Sequence, residues 1–74
     1  MTYQELGTFI RQERKKKQLT QVGLAQLAEI AIRTMKSIEK GERTHENSIQ
    51  KVMDILGYDI EVSISVSIEV KSKC

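Results

Sequence analysis

The stretch Thr20-Gln21-Val22-Gly23-Leu24-Ala25-Gln26-Leu27-Ala28-Glu29-Ile30-Ala31-Ile32-Arg33-Thr34-Met35-Lys36-Ser37-Ile38-Glu39-Lys40-Gly41 decides the fold. It asks for two short helices joined by a tight turn. Thr20 is a residue type that caps helix N-termini. Leu24, Leu27 and Ala28 follow at helical spacing, with small Ala25 beside them. The spacing predicts a helix over 21–28, a turn at Glu29 and Ile30, and a second helix over 32–40. Gly41 then stands where a helix commonly stops. Helices that cross steeply over so short a turn need a small residue at their closest approach and an apolar wedge between them. Ala25 is the small residue; Leu24, Ala28, Ile30, Met35 and Ile38 are the wedge.

At about 100° per residue, Ala31, Met35 and Ile38 face inward on the second of these helices. Arg33, Ser37 and Lys40 then face outward, Thr34 and Lys36 flank them, and Ile32 sits at the boundary. That outward face carries no acid. Arg can pair bidentately with guanine, Ser and Thr adapt to either base, and an apolar tip can meet a thymine methyl. A plain solvated face has the same polar composition, so this helix alone does not decide between the two.

Upstream, Thr2-Tyr3-Gln4-Glu5 reads as a capping box. Leu6, Phe9 and Ile10 continue a helix expected over 3–17. Arg14, Lys15, Lys16 and Lys17 crowd its C-terminal end, where the macrodipole favours cations. That is a structural reason for the basic run, and phosphate contact is a second. Downstream, Asn47-Ser48-Ile49-Gln50 reads as another capping box, and Ile49, Val52, Met53 and Leu56 form an apolar stripe that stops at Gly57. The period then changes. Ile60, Val62, Ile64, Val66, Ile68 and Val70 alternate with polar residues, which predicts one strand about 36 Å long with an apolar face. A lone strand after four helices has no partner in its own chain, and a bare edge is an aggregation hazard. The expected remedy is a second copy, pairing antiparallel across a two-fold axis near Ser65. On this reading residues 1–57 form one domain and 58–74 a dimerisation tail.

Composition bounds the rest. The chain has 74 residues, 39% hydrophobic and 30% charged, with a net charge of +2. A core of that size is marginal alone and gains from a partner. One Cys forbids an internal disulfide, and one His with one Cys cannot build a four-ligand metal site. Asp54, Asp59 and His45 show no catalytic spacing and no Gly-rich phosphate loop occurs, so neither an enzyme nor a cofactor is expected. No apolar run approaches the ~20 residues of a membrane span, and the N-terminus lacks a leader pattern. A cytoplasmic protein without membrane contact is expected, with Cys74 a reduced thiol. The net charge does not point to nucleic acid, but its clustering does. Arg11, Arg14, Lys15, Lys16 and Lys17 lie together, as do Arg33, Lys36, Lys40 and Arg43.

The combination of Leu6-Gly7, Ile10-Arg11, Arg14, Leu19-Thr20-Gln21, Leu24-Ala25, Ala28, Ile30, Ile38-Glu39-Lys40-Gly41 and Leu56-Gly57 resembles the Cro/C1-type, or XRE, family of helix-turn-helix repressors over about residues 5–57. The resemblance implies a mostly α fold: a four-helix lambda-repressor-like domain plus the C-terminal strand that pairs across a dimer. It implies a transcriptional regulator that binds double-stranded DNA as a homodimer, third helix in the major groove, half-sites about 34 Å apart. It assigns Ile32, Arg33, Lys36 and Ser37, with Thr34 flanking, to bases and groove. Gln21, Lys40 and Arg43 fall to phosphates, Gln21 also bracing the third helix, and Glu39 to a local structural role. The chain departs from the family pattern at Gln18 and Glu29, where Gly is common, at Ala31, where Ser caps, and at Gly23, where Glu is common.

The Tyr58-Asp59-Ile60-Glu61-Val62 segment after Leu56-Gly57 is similar to the antitoxin half of HipB-type toxin–antitoxin pairs, which implies a kinase-like toxin as second partner. A solitary repressor fits equally. The competing class is a protein-interaction module whose C-terminal strand augments the edge of a partner's sheet.

Overall fold

Thr2 starts the first helix, α1 (Tyr3–Lys16), with the reciprocal pair its sequence implies. Its hydroxyl accepts from the Glu5 N–H at 3.1 Å, and the Glu5 carboxylate accepts from the Thr2 N–H at 2.8 Å. Those bonds to Thr2 hold the Glu5 carboxyl below its ordinary range. The fold is a computed structural model that describes residues 1–63 and 67–73. Three more helices follow: α2 (Gln21–Ala28), α3 (Ile32–Lys40) and α4 (Glu46–Leu56). Thr20 caps α2 through the Gly23 N–H at 2.9 Å. Gly41 and Gly57 end α3 and α4 in the left-handed region, at φ 85° and 91°.

The start of α4 differs from expectation. His45, not Asn47, is the cap, its Nδ1 accepting from the Asn47 N–H at 3.2 Å. Gln50 is therefore free of the supposed capping box and serves elsewhere, as described below. Ala31 also differs. It is the exposed N-cap of α3, without a side-chain hydrogen bond, rather than an inward residue. Leu27 does not join the apolar stripe of α2 and is 55% exposed.

The core gathers Leu6 and Ile10 from α1, Leu24, Ala25 and Ala28 from α2, Met35 and Ile38 from α3, and Ile49, Val52, Met53 and Leu56 from α4. Ile30 packs against it from the α2–α3 turn. Gly7 lets α1 lie directly on α3: a Cβ there would stand 2.6 Å from the Ile38 carbonyl oxygen and 2.9 Å from that of Glu39. Both approaches are closer than real Cβ contacts permit, and both neighbours are backbone.

The C-terminal segment overturns the single-strand expectation. It folds back on itself as an antiparallel hairpin of β1 (Tyr58–Val62) and β2 (Ile68–Ser72), with Ile60 opposite Val70 and Val62 opposite Ile68. The reason is geometric. The Ser63 N–H donates to the Ser67 carbonyl at 3.0 Å, so the chain finds its partner strand within a few residues, where loop closure is cheap. Of the expected strand residues, Ile60, Val62, Ile68 and Val70 share the hairpin's inner face, and Ile68 enters the helical core at 1% exposure. Ile64 and Val66, like Ser65 and Cys74, lie outside the described residues.

Each outer edge of the hairpin is met by other parts of the chain. On β1, the Gln50 Oε1 accepts from the Ile60 N–H at 3.2 Å, and its Nε2 donates to Asp54 at 2.7 Å and Asp59 at 3.3 Å. On β2, Met1 and Ile68 exchange two hydrogen bonds, at 2.8 and 2.9 Å. Tyr58 docks edge-on to Phe9, ring centroids 5.1 Å apart, and its hydroxyl donates to Glu13 at 2.9 Å. Lys16, with the Tyr58 hydroxyl, holds the Glu13 carboxyl below its usual range.

Among the described residues, two without glycine's freedom occupy the left-handed region: Gln18 at φ 57° and Glu29 at φ 56°. These are the two places where the family resemblance leads one to expect glycine. A side chain costs about 1–2 kcal/mol there, whereas glycine costs about 0.5–1 kcal/mol in chain entropy. Gln18→Gly and Glu29→Gly are therefore each expected to stabilise the fold by about 0.5–1 kcal/mol. The check is the midpoint of urea unfolding, which should rise; a lowered midpoint contradicts the strain argument.

Candidate nucleic-acid interface

The C-terminal half of α1, the start of α2 and one face of α3 converge on an open groove of about 850 Å³. Local sequence explains the convergence. Gly7 sets α1 against α3, Thr20 fixes where α2 begins, and the left-handed Glu29 turns the chain so that α3 crosses beside α2.

One buried ion pair braces the groove floor. The Arg14 Nε donates to the Glu39 Oε2 at 2.7 Å, and a second guanidinium nitrogen donates to Oε1 at 3.1 Å. The third nitrogen donates to the Leu19 carbonyl at 2.8 Å, and the Gln21 amide donates to Glu39 at 3.2 Å. The two charged side chains are only 11% and 5% exposed. The Arg14–Glu39 pair thus ties α1, the loop after it, α2 and α3 together. Glu39 is structural, but through a residue 25 positions away rather than locally.

This pair also sets the electrostatics. Glu39 is the sole acid lining the groove among the described residues, and Arg14 neutralises it. Arg11, Lys36 and Lys40 line the same groove, are exposed, and have no ion-pair partner among the described residues. The N-terminus of α2 opens there too and adds the positive end of a helix dipole. Arg33, Lys36, Ser37 and Lys40, with Ile32, shape an adjoining concavity of about 320 Å³ on the outer face of α3.

The structure brings together most of the residues expected from sequence. Ile32, Lys36 and Lys40 line both concavities, Arg33 and Ser37 the smaller, Gln21 the larger. Thr34 is half-buried and lines neither, and Arg43 is exposed in the loop after α3, outside both. Besides Arg14 and Glu39, the larger groove is also lined by Arg11, Leu19, Thr20 and Val22. Arg11 sits one turn before Arg14, and that spacing alone could have assigned it to the same side of α1. No protein-family model and no curated protein matches this chain.

Proposed function

We propose that the chain is a sequence-specific DNA-binding transcriptional regulator, with α2 and α3 as the helix-turn-helix of a lambda-repressor-like domain. The observation that carries the reading is the groove face itself: exposed Arg11, Lys36 and Lys40 around an acid already consumed by Arg14, with exposed Arg33 in the adjoining concavity, all four without an ion-pair partner among the described residues. Anions find several donors there and no repulsion. In this reading α3 enters the major groove, Arg33 and Ser37 meet base edges, and Arg11, Gln21, Lys36 and Lys40 hold phosphates. The regulator acts as a homodimer, because a single module of net charge +2 binds weakly and two linked modules gain avidity. Strand augmentation of a partner is less well supported, since Gln50 and Met1 already occupy positions on the hairpin's two edges.

Arg33→Ala combined with Lys36→Ala is expected to weaken specific DNA binding by roughly ten- to a hundred-fold, while circular dichroism stays unchanged because both side chains are exposed. Lys36→Ala alone should reduce the slope of log affinity against log salt by about one. Specific binding left at wild-type affinity by the double substitution refutes the reading.

A further inference from the structure

We propose that Val22 and Ile32 together read the 5-methyl group of thymine, so that the preferred DNA carries thymine at the base step facing them. This rests on the DNA-binding reading above and adds which base is selected. Val22 is 52% exposed and Ile32 37% exposed, and both line the larger groove. Of the other β-branched apolar residues on helices α1, α3 and α4, Ile10, Ile38, Ile49 and Val52 are at most 2% exposed, and Ile55, 37% exposed, lines neither concavity. Val22 and Ile32 instead face solvent from two different helices, at one shared depression. Cations ring that depression, with Arg11, Lys36 and Lys40 on its walls. The occupant must therefore be anionic overall and apolar at one point.

Duplex DNA meets both demands. Neither side chain can donate or accept a hydrogen bond, so neither can discriminate through the polar pattern of a base pair. The apolar group that bases offer in the major groove is the thymine C5-methyl. Ile32 also borders the smaller concavity with Arg33. The thymine is thus expected in the same half-site as a guanine met by Arg33.

The test starts from the full chain and a pool of random-sequence duplexes, from which the preferred sequence is selected. Each thymine of that sequence is then replaced by deoxyuridine, which removes the methyl and keeps every hydrogen-bonding group. Binding is read by fluorescence anisotropy. A single replacement, in one half-site only, is expected to weaken wild-type binding about four-fold, the transfer value of one buried methyl-sized group. That penalty should vanish in Val22→Ala and in Ile32→Ala, whose exposed sites leave folding intact. The inference is overturned, with the DNA-binding reading standing, if no replacement weakens binding or if the penalty persists in both variants. If no sequence is enriched and no duplex binds, both readings fall.

Discussion

Glu39→Ala is expected to remove about 3–5 kcal/mol of folding stability, because it leaves the Arg14 guanidinium buried without its counter-charge. A domain of this length has only about 4–11 kcal/mol in total, so the loss takes a large share of it and the urea midpoint should fall steeply. The size of the effect follows from burial. With side chains 11% and 5% exposed, this pair is shielded from the screening that makes surface ion pairs nearly worthless. The pairs between Lys71 and Glu61 or between Lys73 and Asp54 are open to solvent, and their removal should be hard to detect. Glu39→Gln keeps an acceptor for Arg14 and should cost less than Glu39→Ala. Arg14→Met combined with Glu39→Met should recover most of the loss, since replacing a buried pair by packed apolar side chains is often near neutral; the Leu19 carbonyl, on a half-exposed residue, can turn to water. Urea unfolding of the four proteins checks this. A loss below about 1 kcal/mol for Glu39→Ala, or no recovery in the double variant, contradicts the role assigned to the pair.

The helices were legible because each has a local signature. Thr2 and Glu5 face each other across one turn, and Gly41 and Gly57 mark ends that the backbone observes at positive φ. The bounds of α2 and α3 follow from Thr20, the apolar spacing and Gly41. Legibility failed where the deciding partner is distant in sequence. Gln50 looks like a capping residue because it stands three residues after Asn47, yet its side chain is drawn to Ile60, Asp54 and Asp59, a preference that exists only once β1 is in place. Leu27 fits the helical period but falls beyond the width of the stripe that a three-residue core contribution from α2 requires. The alternation from Ile60 to Val70 correctly announced β structure with one apolar face. It carried no signal for the reversal, since the segment has neither Gly nor Pro between Gly57 and Cys74. For the candidate interface, residue type and helix phase placed Ile32, Arg33, Lys36, Ser37 and Lys40 together. Arg11 had its signal in the basic cluster and in its spacing to Arg14, whereas the place of Val22 depends on how α2 packs against α3, which no single helix encodes.

Ile68→Ala is expected to cost about 2–5 kcal/mol, and to do so equally at every protein concentration. Ile68 is 1% exposed among residues from all four helices, so truncating it opens a cavity in the one shared core. Val70, on the same face but half-buried, should cost less when truncated. Concentration independence is the sharper part. A hairpin whose strands pair with each other and whose Ile68 amide bonds Met1 contributes its stabilisation within one chain. A strand exchanged between copies would instead couple folding to association, and the unfolding midpoint would rise with protein concentration. Urea melts of wild type and Ile68→Ala at widely separated concentrations distinguish the two. A gap between the two proteins that stays constant at every concentration leaves dimerisation to some surface other than the β ladder. A wild-type midpoint that climbs with concentration, and ceases to climb in Ile68→Ala, would return the hairpin strands to the dimer interface that their alternation first suggested.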